Sequence, residues 1–371
     1  MQAEKLSNLA QFFSNACNAV VPFVVESRCW NRVGLHHLTY YSVREKFPTL
    51  GSQMVCNAIK RVADGYKVLS ASKKIAKDKP VKTLLFKPKS VHFDKRTYSI
   101  KNGKISLFTL EGRERVLFVC GEHQARLLTI GNPKEAELIV RHGKWFFNLV
   151  LDIPDVVAQT DGGVLGVDVG ENNMAATSSG QIFGGEKLRH NRDMYLVQRG
   201  RLQSNGSKAA MKKLCMVSGC ERRHVTHVNH EVSKQIIQEA LKQGATSIAM
   251  ENLTHIRKNI KAGKRIRSRL HRWSFRQLQS FVAYKARACG ISVVFVDPAY
   301  TSQTCCVCKC LGTRKKHMFF CSCGAKRHAD VNAAANIAWL ASSIGFARAA
   351  VNQPDFAHQG YFFGVAKSSA L

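Results

Sequence analysis

The chain has 371 residues, 45% of them hydrophobic and 22% charged, which gives room for two or three folded units and excludes a largely disordered or collagen-like polymer. Lys and Arg number 56 against 25 Asp and Glu, a formal charge of +31 at pH 7. That surplus excludes an ordinary metabolic enzyme and calls for a polyanionic partner, because a dense positive surface is relieved by exchanging small counterions for phosphate.

The first 70 residues read as helical. Leu6, Leu9, Phe12, Phe13, Ala16, Ala19 and Val20 recur at helical spacing, and a second stripe runs through Val55, Ile59, Val62, Tyr66 and Leu69 after a Gly51-Ser52 start. The apolar run Val20 to Val25 is broken by Pro22 and falls short of the ~18–20 residues of a membrane span. Glu4 stands where a secretory leader is purely basic, so a cytoplasmic location is expected, with no membrane partner. Between Lys73 and Lys89 seven lysines face one acid, Asp78, with Pro80 and Pro88 blocking regular structure, which describes a basic connector.

Residues 83–151 change period. β-rich runs at Tyr98 to Ile100, Ile105 to Leu110, Val116 to Cys120, Leu138 to Val140 and Trp145 to Leu151 are punctuated by the hairpin signals Asn102-Gly103 and His142-Gly143, which predict a small antiparallel barrel or sandwich. Beyond Asp161 strand candidates at Val164 to Val169, Ser247 to Met250 and Ile291 to Val296 alternate with helical stretches at about 222–243 and 271–289, the pattern of an α/β domain.

Three acids stand where these elements end. Asp168 closes Gly166-Val167-Asp168-Val169-Gly170, whose glycines allow another backbone to approach; Glu251 ends a second apolar strand; Asp330 precedes the helix-forming run Ala333 to Leu340, where an N-cap belongs. If the two strands are neighbours and the helix packs across their ends, the carboxylates converge and repel. Two divalent cations, Mg²⁺ or Mn²⁺, ~3.5–4 Å apart would resolve that repulsion and set up phosphodiester hydrolysis. Asp297, also at a strand end, competes for the third place, although an acid before a proline is commonly the turn out of a strand.

Thirteen cysteines in a reducing compartment point to metal ligands. Cys305-x2-Cys308, twelve residues, then Cys321-x-Cys323 form two thiolate pairs suited to one tetrahedral structural Zn²⁺. The second pair is one residue shorter than the usual knuckle, so Cys306 and Cys310 remain possible substitutes. His224, His227 and His230 fall at helical spacing beside Arg222 and Arg223, which favours a nucleic-acid-facing helix over a metal site.

Directly after Glu251, nine cations lie in 23 residues without one acid: Arg257, Lys258, Lys261, Lys264, Arg265, Arg267, Arg269, Arg272 and Arg276. Trp273 and Phe275 interleave with them. A one-signed belt beside a metal site would hold a phosphate backbone over the scissile position, with the aromatics available for stacking on bases. A second belt runs from Arg199 to Arg223. GxxxxGK[ST], GxGxxG and GxSxG are all missing from the sequence, so ATP-driven and acyl-transfer chemistry drop out.

The order GVDVG (166–170), MENL (250–253), DPAYTSQTCCVC (297–308), CSCG (321–324) and HADVNAAANIA (328–338) resembles the TnpB family of transposon-encoded RNA-guided nucleases, relatives of the type V CRISPR effectors. The similarity is strong over about 160–345, and GSQMVCNAIKRVADGYK (51–67) resembles the family's amino-terminal half. The resemblance implies an α+β multidomain protein: a helical recognition unit with the basic connector (1–82), a β-barrel wedge (83–160), an RNase H-like (RuvC) nuclease domain (161–300 and 327–345) with an inserted zinc ribbon (301–326), and a weakly ordered tail (346–371). It implies Asp168, Glu251 and Asp330 as Mg²⁺ ligands, and Zn²⁺ on Cys305, Cys308, Cys321 and Cys323. It also implies a transposon-end guide RNA that selects double-stranded DNA beside a short protein-read motif, with the protein nucleoid-associated when bound. His328-Ala329 stand where many members carry an acid-Arg pair. Two other readings follow the same residues: a silent guided repressor, and a compact CRISPR-associated type V effector. A DDE transposase would need Asp, Asp, Glu in chain order, whereas this chain has Asp, Glu, Asp.

Overall fold

The computed structural model describes residues 2–72, 80–158, 161–253, 263, 267, 272–297 and 301–344. It is a mixed α+β fold that divides into two compact units, with the boundary at Pro154/Asp155. Among the described residues no helix is long and apolar enough to cross a membrane.

The first unit begins with three helices, α1 (Gln2–Ser27), α2 (Arg32–Lys46) and α3 (Ser52–Ala71). The stripes read from the sequence become its core: Leu9, Phe13, Ala16 and Val20 of α1 meet Val55, Ile59, Val62 and Tyr66 of α3, while Phe12 turns outward. The connector has no regular structure at 80–87, yet it is anchored. The Tyr66 hydroxyl donates to Lys82 O (3.0 Å) and accepts from Leu84 N (3.2 Å), and the Asn18 amide brackets the Phe86 backbone at 2.9 and 2.8 Å. Lys73, Lys74, Lys77 and Lys79 lie outside the described residues.

Two three-stranded antiparallel sheets follow, β1 (Ser90–Phe93) with β5 (Asn132–Arg141) and β6 (Lys144–Asp152), and β2 (Tyr98–Lys101) with β3 (Lys104–Thr109) and β4 (Gly112–Leu117). Both hairpin signals form turns. Asn102 and Gly103 have φ of 50° and 69°, and His142 and Gly143 of 51° and 75°, the paired positive angles that match strand twist. The strand expected at Val116 to Cys120 lies instead at Gly112–Leu117, where its outer residues alternate at a sheet edge, and α4 (Glu122–Ile130) was not anticipated because it buries no residue. Val91, Phe93, Tyr98, Ile105, Leu107 and Leu138 join the helical core, so helices and strands of this unit share one apolar interior.

The second unit is built on a five-stranded sheet of order β11-β10-β7-β8-β9, with β7 (Gly163–Asp168), β10 (Ala245–Glu251) and β11 (Ser292–Val296) parallel, and β8 (Asn173–Thr177) and β9 (Ile182–Gly184) antiparallel. A parallel sheet needs cover on both faces. On one face Leu165, Val167, Ile248 and Met250 pack against α6 (Lys208–Lys242) and α7 (Phe275–Ala288); on the other Ala249, Val294 and Val296 meet Ile337 and Ala341 of α8 (Ala329–Ile344). Helix α6 starts well before the expected residue 222, behind α5 (Glu186–Asn205) and an N-cap in which Ser207 accepts from Ala210 N. A three-stranded sheet of β12 (Thr313–Lys315), β13 (Met318–Phe320) and β14 (Lys326–His328) completes this unit.

Candidate active site and metal centre

Strand parity assembles the acid site. Val167 pairs with Met250 in the parallel register, so Asp168 and Glu251 come next, at the carboxyl ends of adjacent strands, where ligands of open α/β sheets bind. Side chains alternate faces, so Gly166 and Asp168 share one face, as do Ala249 and Glu251, and Ala249 lies against α8. Gly166 is what brings α8 close: a Cβ on it would stand 1.9 Å from Ala334 O. The helix therefore crosses the sheet backbone to backbone, and its first turn delivers Asp330 to the same cleft, about 290 Å³ in volume, that Asp168, Glu251, Asn173, Thr301 and Arg314 line.

Asp330 is not the cap of its helix. Its carboxylate accepts from Asn173 Nδ2 (2.8 Å) and from the Arg314 guanidinium (3.0 Å), so it turns into the cleft, one residue inside a helix that starts at Ala329. The competitor Asp297 is exposed and stands outside the cleft lining. Glu251 Oε1 accepts from the Thr301 hydroxyl (2.5 Å), and its carbonyl accepts from Gln279 Nε2 (2.7 Å).

The electrostatics follow from this crowding. Burial, then the charges of Glu251 and Asp330, push the Asp168 carboxyl up to about 7, with the Arg314 guanidinium opposing. Burial also raises Glu251, against the Thr301 hydrogen bond. Buried carboxylates that repel one another are stable as anions only beside compensating charge, so this all-oxygen donor set fits hard divalent cations.

The four predicted thiols also meet. Cys305, Cys308, Cys321 and Cys323 place their sulfurs within 4.8 Å of one another, with Cys308 to Cys321 at 3.4 Å and Cys305 to Cys323 at 3.7 Å. A tetrahedron of ~2.3 Å Zn–S bonds has edges of ~3.8 Å, so the cluster could hold a structural metal such as zinc. Cys306 and Cys310 stand outside this cluster, and the short Cys-x-Cys pair reaches it without them. Cys215 and Cys220 are exposed on α6.

Of the basic belt, Arg257, Lys258, Lys261, Lys264, Arg265 and Arg269 lie outside the described residues. Arg267 and Arg276 are exposed. Arg272 is committed within the fold, to Asp193 Oδ1 (3.0 Å) and Arg192 O (3.2 Å), and Trp273 packs beside Phe275 with ring centroids 5.0 Å apart. In the second belt Arg199 pairs with the buried Glu221 at 3.0 Å. The histidine row of α6 does not present one outward face. Steps of three residues rotate each side chain by ~60° on a 3.6-residue helix, so His227 is exposed beside Glu231 while His230 stacks on Phe281 at 3.9 Å. Asn173, Thr301 and Arg314 carry no signal in the sequence, since each matters only through a partner far away in the chain.

Comparisons with known proteins agree with this architecture. The model of the Cas12f1-like TNB domain matches residues 275–337, from α7 through the cysteine cluster into α8. A TnpB-like protein of Methanocaldococcus jannaschii is 33% identical over 181 residues, which cover 47% of this chain and 64% of the relative. The CRISPR-associated endodeoxyribonuclease Cas12f1 of Sulfoacidibacillus thermotolerans is 24% identical over 345 residues, 82% of this chain and 80% of that protein. The cryo-EM structure of a Cas12f1-sgRNA-target DNA complex shares the fold, with a TM-score of 0.58 over 90% of this chain and 81% of that one at 15% identity. The chain thus spans somewhat under two thirds of the TnpB-like relative, and it is similar both to TnpB-like proteins and to type V Cas12f effectors.

Proposed function

We propose that the chain is an RNA-guided DNA endonuclease of a transposon, and that the acid cleft on an RNase H-like (RuvC) sheet hydrolyses target phosphodiesters. The observation that carries this reading is the convergence of Asp168, Glu251 and Asp330 on one cleft, with Asp168 raised to about 7 by burial and by its two neighbours. A relative described as an endodeoxyribonuclease and a solved complex with sgRNA and target DNA support a guide RNA and double-stranded DNA as partners; in this reading the guide comes from the transposon end. The +31 charge supports binding to both.

In this reading Asp168, Glu251 and Asp330 hold two Mg²⁺ ions, which would activate a water and stabilise the leaving oxygen. The protein's own groups prepare the site. Asn173 and Arg314 fix the Asp330 carboxylate, Gln279 fixes the end of β10, and Arg314 offsets part of the repulsion at Asp168. The four cysteines hold one Zn²⁺ as a closed site, since four thiolates leave no position for substrate. Sequence is read by the guide, while the exposed cations Arg267 and Arg276, with Arg257, Lys258, Lys261, Lys264, Arg265 and Arg269 of the same belt, hold backbone. Such a protein works in the cytoplasm, at the nucleoid when DNA is bound.

The test is cleavage of a guide-matched duplex by the protein with its copurifying RNA and Mg²⁺. The wild type is expected to cut both strands, and Asp168→Ala to bind the same duplex without nicking it. Undiminished cutting by Asp168→Ala would remove the assignment. A wild type that binds and never nicks would make the chain a guided repressor instead.

A further inference from the structure

Glu251 is held from a direction that the acid constellation does not explain. Its Oε1 accepts a 2.5 Å hydrogen bond from Thr301, a residue only 4% exposed, at the start of the segment that runs into the cysteine cluster. That segment is tied down along its length by two buried amides one turn apart on α8. Asn336 Nδ2 donates to Thr301 O (3.0 Å) and Thr304 O (2.6 Å); Asn332 Nδ2 donates to Thr304 O (2.7 Å), and its Oδ1 accepts from Cys306 N (2.9 Å). Cys305 lies inside this clamp with its sulfur in the cluster, and its amide donates to Cys310 O at 2.9 Å.

Burying two carboxamides is costly unless their hydrogen bonds are made, and here both Nδ2 groups donate into this one segment, while Asn336 Oδ1 accepts from Lys309 Nζ at 3.3 Å. The outcome is a continuous path of hydrogen bonds from the thiol cluster through 301–306 to one oxygen of Glu251. A hydroxyl donating to one carboxylate oxygen fixes the rotamer and leaves the other oxygen, Oε2, for a cation, the part that outer-shell partners play at metal sites.

We infer that Thr301 is a positioning residue for Glu251, set in place by Asn336 and Asn332 and anchored by the cysteine cluster, so that the structural metal governs how tightly the cleft binds its divalent ions. This rests on the reading of the cleft as a cation site and goes beyond it, because it gives the cluster a part in the site's metal affinity.

The test is Mn²⁺ binding by the nucleic-acid-free protein, followed by electron paramagnetic resonance, with zinc content and far-ultraviolet circular dichroism as checks on folding. Thr301→Val is expected to keep one zinc per chain and the wild-type spectrum while half-saturation by Mn²⁺ rises tenfold or more, with Thr301→Ser within about twofold of wild type. Asn336→Leu, which leaves the hydroxyl in place and frees its segment, should weaken Mn²⁺ in the same direction. Wild-type Mn²⁺ affinity in Thr301→Val, or failure of Thr301→Ser to restore binding, would overturn the inference. If Asp168→Asn likewise leaves Mn²⁺ binding untouched, the cleft is not the cation site, and the functional reading falls together with this one.

Discussion

The first unit and the acid cleft of the second treat their carboxylates in opposite ways. In the first unit acids meet cations: Lys5 of α1 reaches Glu111 and Glu114 at 3.3 Å, Lys60 of α3 pairs with Glu135, and Arg61 pairs with Glu137 at 3.0 Å. Glu135 and Glu137 lie two residues apart on β5 and so face the same helix. In the acid cleft of the second unit Asp168 and Glu251 form no ion pair among the described residues, and of the three acids Asp330 alone pairs with a guanidinium, that of Arg314. The first arrangement is complete within the chain and ties helix to sheet. The second is incomplete electrostatically, which is costly in the absence of a cation and is the condition for binding one. Charge in the first unit is architecture; in the cleft it is negative charge that Arg314 only partly offsets.

The largest effect should come from breaking the approach that creates the cleft. Gly166→Ala would drive a methyl group to 1.9 Å from the Ala334 carbonyl, a backbone atom that cannot swing aside. The expected loss lies at the upper end of the roughly 1–3 kcal/mol typical of overpacking, or beyond it, measured by denaturant melts. Divalent-ion binding should weaken in the same variant, since α8 carries Asp330. An alanine at Gly143, whose Cβ would meet nothing within 4 Å but whose φ is +75°, should cost less and leave ion binding unchanged.

A smaller effect, and of informative sign, is the dependence of stability on pH. Asp168 titrates near 7 in the fold and near the ordinary carboxylate value when unfolded, so between those values the folded chain holds the extra proton. Stability without divalent ions should therefore fall as pH rises from about 4 to about 7, and Glu251, raised as well, adds to the slope. Asp168→Asn should flatten it, and added Mg²⁺ should restore most stability above pH 7. Melting curves of the ion-free protein that rise over that interval would show that the cleft acids are not strained in the way their burial implies.

Much of this site was legible in the sequence, and the legible part has a common cause. Asp168 and Glu251 each close an apolar strand, and four cysteines come in two close pairs, so local pattern and chemistry point the same way. The parallel core strands and the helices α1 and α3 were equally plain, because their apolar periodicity is long and regular. What escaped depends on distance along the chain. Asn173 reaches Asp330 across 157 residues, and Thr301 reaches Glu251 across 50, with nothing local to distinguish either from a surface polar residue. Helix α5 buries no residue and α4 none, so neither leaves a clear stripe. Asp330 stands at a position where an acid ordinarily serves its helix as a cap; here Asn173 and Arg314 claim both its oxygens.

The smallest effect sharpens the contrast from the side of the first unit. His92 sits beside Lys60 (3.5 Å) and near Glu135 (3.8 Å), and burial first, then the Lys60 charge, holds its pKa below the usual histidine value while Glu135 pulls the other way. Below that usual value the unfolded chain takes up the proton more readily, so this group makes the fold more stable as pH rises, the reverse of the cleft. Lys60→Met keeps the aliphatic stem against β1 and removes the charge, which leaves Glu135 as the nearest ion. His92 should then titrate at higher pH, read from its ring resonances by NMR, and its share of acid destabilisation should shrink. The cost at neutral pH should be within about 1 kcal/mol, since Glu135 is half-exposed and returns to water. Arg61 should carry no such effect through Glu135, because its partner is Glu137. A His92 titration unmoved by Lys60→Met would mean that the Lys60 charge does not tune it, and that this ion pair stitches helix to sheet without setting the group beside it.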